Sequence, residues 1–141
     1  MQIPAQRTVV AFVDSTSSGP VVAAAAERAA SEDAALVVFV ADAARRFSRV
    51  RPTWWSASGQ EAQFDGPLTP VQLELLGEHD VAVAVLRARE SGVDTYGWLP
   101  AQRGAGGVAD YARGRRADVV FASAAHAALA AALPLGTVVT A

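Results

Sequence analysis

The stretch Thr8-Val-Val-Ala-Phe-Val13, followed by Asp14-Ser-Thr-Ser-Ser-Gly19, decides the fold of this chain. The first part is a short, apolar, β-branched run, which is typical of a strand buried on both faces of a sheet. The second part is a cluster of small polar residues that marks a loop. Pro20 suits the first turn of a helix and Ser18 is a candidate N-cap, so a helix is expected over Pro20–Ser31.

A second buried strand, Ala35–Val40, completes a strand–helix–strand unit, whose crossover is expected to be right-handed. Further strands are predicted at residues 93–98, 117–122 and 136–140. The helices between them are predicted from Pro70 to about Ser91, over Gly104–Arg116, and in the alanine-rich stretch at residues 124–135. This alternation indicates a parallel sheet with helices on both faces.

The longest predicted helix begins at Pro70, behind the candidate cap Thr69, and ends before Gly92. Its run at residues 81–86 also alternates like a strand, but the charged residues around that run favour a helix. The side chains expected to form its buried stripe are Leu75, Leu76, Ala82, Val83 and Leu86.

Composition limits the classes of function. A chain of 141 residues, 52% hydrophobic and 18% charged, predicts one folded domain over residues 1–141, with an irregular segment at residues 43–69. A net charge of -2 and a pI near 5.6 give no field that favours nucleic acid or anionic lipid. The absence of cysteine excludes disulfides, thiolate zinc sites and cysteine nucleophiles. With no signal-like or membrane-spanning apolar stretch, we expect a cytoplasmic protein without membrane association.

Several motifs permit both a functional and a structural interpretation. Arg45–Trp55 mixes cations and aromatic rings, as a nucleic-acid or peptide surface would, but tryptophans folded over the sheet edge are favoured. Gly104–Ala109 fits a dinucleotide pattern, but it follows the third strand, so simple helix entry is favoured. His79 and His126 show neither metal-ligand spacing nor a nucleophile elbow, and they are predicted to be surface or boundary residues.

Asp14 is the clearest candidate for a functional residue. It follows the first strand, where the crevice of a doubly wound sheet opens, and its carboxylate suits an adenine amino group or a ribose hydroxyl. The alternative is that Asp14 braces its own loop.

Taken together, these features resemble the universal stress protein family over nearly the whole chain. The resemblance is carried by Val9–Asp14 with its serine-rich loop, residues 24–40, Leu86–Val93, Gly104–Arg113 and Ala117–Ser123. It implies a three-layer α/β/α sandwich that is Rossmann-like, of the adenine nucleotide alpha hydrolase-like type. It also implies a five-stranded parallel sheet in the order 3-2-1-4-5, and homodimers paired through the last strand, here Gly136–Thr140.

Family members that bind ATP hold its phosphates with glycines after the fourth strand. Here Ala122 and Ala125 replace the first two of those glycines, and an alanine Cβ disfavours the positive φ of a phosphate-binding loop. No arginine or lysine follows Arg116 to offset phosphate charge. We therefore expect no ATP cofactor. The resemblance implies adenine contacts from Asp14 and from Val40 or Ala41. The residues predicted for a degenerate ATP or AMP site are Asp14, Ser15, Val40, Ala41, Phe121 and Ser123.

The sequence thus predicts a stress-response or regulatory module that dimerises and binds an unidentified protein partner, without catalysis and without a metal. The alternative is an adenine-nucleotide sensor that uses the crevice at the ends of strands 1, 2 and 4.

Overall fold

The computed structural model describes residues 7–16, 18–43, 67–100, 105–112, 117, 119–132 and 137–140. Their strands form one five-stranded, all-parallel sheet in the order β3-β2-β1-β4-β5. The predicted three-layer, Rossmann-like fold and its strand order are therefore confirmed. The strands are β1 Thr8–Val13, β2 Ala35–Val40, β3 Thr95–Trp98, β4 Val119–Ala122 and β5 Thr137–Thr140.

Alternate residues of each strand point to opposite faces of the sheet. Both sets of residues are apolar and buried, and helices cover both faces. Val9, Ala11 and Val13 of β1 belong to the core cluster that includes residues of the first three helices. Val10 and Phe12 belong to a second cluster with residues of the last two helices. The helices are α1 Gly19–Glu32, α2 Pro70–Leu75, α3 His79–Glu90, α4 Ala105–Ala112 and α5 Ala127–Ala131.

The two faces are packed differently. On the α1 side, Ala25 and Ala29 are fully buried, and such small side chains let the helix lie close to the sheet. On the opposite side, Phe12 and Phe39 occupy facing positions of β1 and β2, with ring centroids 5.2 Å apart. Burying each phenylalanine side chain contributes roughly 1.5–3 kcal/mol.

The single helix predicted from Pro70 to Ser91 is wrong, because the chain forms two helices there. Gly77 adopts a φ of 82° between α2 and α3, a left-handed conformation that glycine accepts without strain. The break also changes which side chains are buried. Leu75 and Leu86 of the predicted stripe are 66% and 46% exposed, whereas the core on this side contains Leu73, Val81 and Val85.

The predicted caps are confirmed only in part. Thr69 and Gln72 form a reciprocal capping box at the start of α2. Ser18 stands at the N-cap of α1, but its side chain makes no capping hydrogen bond. Its hydroxyl instead lies 3.5 Å from the carbonyl oxygen of Asp80. In the alanine-rich stretch, a turn at residues 124–126 precedes α5.

The two edges of the sheet differ. Leu68 bonds in both directions to Gly97 of β3, with N···O distances of 2.9 Å, so the outer edge of β3 is partly covered. Among the residues that the structure describes, no backbone pairs with β5 on the side away from β4. The Arg45–Trp55 segment, Gly104 and Gly136 lie outside the described residues, and so does most of the predicted irregular segment.

Candidate functional site

The candidate site lies where three neighbouring parallel strands end. Asp14 and Ser15 follow β1, Ala41 follows β2, and Ser123 follows β4. The chain leaves β1 for α1 on one face and leaves β4 for α5 on the other, since α1 and α5 contribute to opposite core clusters. The topological switch point, at which open α/β sheets bind ligands, therefore lies between β1 and β4.

The Asp14 carboxylate is held from two directions. Its Oδ1 accepts hydrogen bonds from the Thr16 amide at 2.9 Å and from the Thr16 hydroxyl at 3.2 Å. This is the local turn that aspartate forms with the backbone two residues ahead. Its Oδ2 lies 3.6 Å from Nε2 of His126. The loop-bracing role considered for Asp14 is thus present, together with a contact from a distant part of the chain.

His126 reaches the crevice from the turn that follows β4. The His126 amide donates to the Ser123 carbonyl oxygen at 3.0 Å, which closes that turn. The two side chains meet as well, with Ser123 Oγ 3.0 Å from His126 Nδ1. The imidazole also packs against Phe12, at a ring-centroid distance of 6.3 Å. His126 is a boundary residue, as predicted, and it joins two of the predicted site residues.

A second polar cluster surrounds Ser15. The Ser15 amide donates to Oδ1 of Asp42 at 2.9 Å. The Ser15 hydroxyl lies 3.1 Å from the same oxygen and 2.9 Å from Oε1 of Glu78. Because a hydroxyl has one proton, it can donate to only one of these carboxylates at a time. Glu78 is buried and Asp42 is exposed. Since Glu78 stands at the start of α3 and Asp42 follows β2, the cluster connects α3 with the loops after β1 and β2.

The remaining predicted site residues present little side chain to the crevice. Val40 is fully buried in the core beneath α1 to α3, and Phe121 is 7% exposed in the same cluster. Ala41 is half-buried and packs against the opposite core cluster. Contacts from these positions to a ligand would have to come chiefly from the backbone.

Sequence reasoning missed three residues of this region. His126 carries a local signal, a Ser-x-x-His spacing directly after a strand, which places both side chains on one turn. Asp42 is an acid just past the end of β2, as Asp14 is past β1. Glu78 has no such signal, since only the break between α2 and α3 brings it to Ser15.

A separate groove of about 910 Å³ lies between α1 and α3. Its walls are mostly small apolar side chains, such as Ala23, Ala26 and Val83, with Glu27 and Arg87 also lining it. None of the predicted site residues lines this groove, but Thr16, which bonds to Asp14, does.

The described part of the chain contains no group of three or more His, Asp or Glu residues placed to hold a metal ion. Within the same residues, every helix is too short or too polar to cross a membrane.

No family model, no curated protein and no solved structure matches the chain. Membership of the universal stress protein family therefore stays a prediction from the sequence.

Proposed function

We propose that this chain is a regulatory module similar to universal stress proteins, which forms a homodimer through β5, binds a protein partner and uses no ATP. The observation that carries the proposal is the difference between the two sheet edges. Leu68 partly covers the edge at β3, whereas the described residues leave the edge at β5 unpaired. An open edge strand is a template for pairing with another chain.

The crevice supports the part of the proposal that concerns ATP. Both oxygens of the Asp14 carboxylate already face groups of the protein itself, namely Thr16 and His126. An adenine amino group would have to compete with these contacts. Ala122 is fully buried within β4, and Ala125 belongs to the turn that His126 closes, so neither forms a glycine-like cradle for phosphate.

Two exposed apolar side chains support the binding of a protein partner. Val71 and Leu75 are 69% and 66% exposed, and they lie one turn apart on α2. Exposed apolar side chains that adjoin one another are typical of contact surfaces. When a protein partner has been identified, the double change Val71→Ser and Leu75→Ser should weaken the binding of that partner at least tenfold. Undiminished binding would remove α2 from the proposal.

The dimer is tested by sedimentation of two proline variants. Successive residues of a strand direct their N–H groups to opposite sides, so only one of Val138 and Val139 has an N–H on the outer edge of β5. We expect one of the variants Val138→Pro and Val139→Pro to be a stable monomer and the other to unfold more easily. A wild-type protein that is monomeric at all accessible concentrations would refute the dimer.

A nucleotide sensor is the second candidate, and it is favoured by the convergence of Asp14, Ser15 and Ser123 at one edge of the sheet. Calorimetry with ATP, AMP and adenosine distinguishes the two candidates. The proposal expects no saturable binding. Micromolar affinity for a nucleotide in the wild type, abolished by Asp14→Ala and retained by Asp94→Ala, would establish the sensor instead.

A further inference from the structure

Ser123, His126 and Asp14 form a row of hydroxyl, imidazole and carboxylate beside the crevice. Ser123 Oγ lies 3.0 Å from Nδ1 of the imidazole, and Nε2 on the opposite side of the ring lies 3.6 Å from Oδ2 of Asp14. The residues come from the ends of two neighbouring strands, β4 and β1. Each ring nitrogen thus faces a different partner.

This order of groups can activate a serine. A carboxylate at Nε2 favours the tautomer that carries its hydrogen on Nε2, which leaves the lone pair of Nδ1 free to accept a proton. The Ser123 hydroxyl is the group that faces that lone pair. A serine oxygen becomes an effective nucleophile when an adjacent base, held by a third group, takes its proton.

The groups are also held in place. Thr16 fixes the Asp14 carboxylate through two hydrogen bonds, and the turn closed by the His126 amide fixes Ser123 relative to the imidazole. Ser123 is half-buried, and the next residues, Ala124 and Ala125, are exposed. A small acyl donor therefore has a route to the hydroxyl that does not require the core to open.

We propose that Ser123 is a covalent acyl-acceptor site for activated acyl donors such as thioesters. With a thioester, Ser123 Oγ attacks the carbonyl carbon, so that a C–O bond forms and the C–S bond breaks. The hydroxyl proton passes to His126 Nδ1 and from there to the departing sulfur, which leaves as a free thiol. The product is an ester on Ser123. This modification goes beyond the proposed dimer module and needs no turnover, and a finding that the protein is monomeric would not affect it.

The composition makes the reaction simple to detect. The chain contains neither cysteine nor lysine, since all its basic residues apart from histidine are arginine, so thiol and side-chain amine acceptors do not compete with Ser123. The probes are p-nitrophenyl acetate, which releases a coloured phenolate, and a short acetyl thioester. We expect one equivalent of rapid release per chain and, by peptide mass spectrometry, one acetyl group on Ser123.

Matched variants separate activation from simple exposure. Ser123→Ala should abolish the rapid phase, whereas Ser31→Ala, which changes a serine that donates to the Arg28 carbonyl, should not. His126→Gln should slow acylation at least about 100-fold, the usual contribution of a general base. His79→Gln is the control, because the His79 ring contacts the Glu74 carboxylate, which carries no hydroxyl to activate.

Asp14 is a positioning residue in this proposal, and its role is tested by rescue. Asp14→Asn should slow acylation at least tenfold, and Asp14→Glu, whose carboxylate can still reach Nε2, should restore a substantial part of the rate. If Ser123→Ala does not fold, Ser123→Cys replaces it, and its thiol should be acylated faster than the same thiol in urea-unfolded protein.

Three results would overturn the proposal. They are the absence of any adduct, acetyl groups spread over exposed serines and threonines, and a His126→Gln variant that reacts as fast as the wild type.

Discussion

Nε2 of His126 lies 3.6 Å from Oδ2 of Asp14, and this contact joins the loops that follow β4 and β1. The crevice of an open α/β sheet, where ligands bind, lies between these two loops. The same carboxylate also closes its own loop through Thr16. The residue that appeared best suited to a ligand is therefore also a structural connector between two crossovers.

The first prediction concerns the stability that Asp14 contributes. Asp14→Ala removes the acceptor for two Thr16 hydrogen bonds and the carboxylate beside His126, and we expect a loss of about 1–2 kcal/mol in the free energy of unfolding. Urea denaturation provides the measurement. Asp94→Ala changes an exposed aspartate before β3 and should alter stability by less than about 0.5 kcal/mol. Equal effects of the two changes would contradict the connecting role.

The second prediction tests the contact between Asp14 and His126 itself. A double-mutant cycle with Asp14→Asn and His126→Gln should give a coupling energy of at least about 0.5 kcal/mol, because neighbouring groups in one network are not additive. Strict additivity of the two changes in urea denaturation would show that the contact does not contribute to stability.

A close contact between Gly97 and Leu73 provides the third prediction. A Cβ at Gly97 would lie 2.9 Å from both terminal methyl groups of Leu73, which is fully buried. Gly97→Ala should therefore destabilise the fold by about 1–3 kcal/mol. In the Leu73→Ala background the same substitution should cost much less, since the clash is gone. A cycle measured by thermal unfolding checks this, and an equal cost in both backgrounds would be evidence against the contact.

The fourth prediction concerns two residues with positive φ. Asp33, at the end of α1, has a φ of 52° and a ψ of 46°, so Asp33→Gly should stabilise the protein by about 0.5–1 kcal/mol. Gly92, at a φ of 95°, has open space where a Cβ would stand. Gly92→Ala should therefore destabilise through the backbone alone, by about 1–2 kcal/mol. If both substitutions changed the free energy of unfolding in the same direction, the left-handed backbone at these two positions would be refuted.

The capping box of α2 provides the fifth prediction. Thr69→Ala removes the acceptor for the Gln72 amide, and we expect a loss of about 1 kcal/mol. Thr69→Ser keeps the oxygen and should retain most of the stability. Chemical denaturation of the three proteins is the measurement, and a serine variant as unstable as the alanine variant would argue against capping.

The sequence by itself determined the strands and their order along the chain. Runs such as Thr8–Val13 and Ala35–Val40 are β-branched and apolar throughout, and each is bounded by turn residues, so local composition suffices to recognise them. Thr69 caps the start of α2 and Gly92 follows the end of α3, and each effect depends only on residues within one turn of the chain. Gly77 is a local signal for the end of a helix, but the apolar residues on both sides of it fitted one longer helix equally well. Only the structure showed which of those apolar residues are buried.

Only the tertiary structure decided what surrounds the crevice. Asp14 follows β1, whereas Ser123 and His126 follow β4 much later in the chain, and the parallel pairing of β1 with β4 brings Asp14 to the other two. Glu78 reaches Ser15 for a similar reason, through the packing of α3 beneath the sheet. Periodicity records which face of an element is buried, but it does not record which side chains of distant elements share one edge. That edge is formed by long-range packing, and so the partners of Asp14 could not be predicted from the residues beside it.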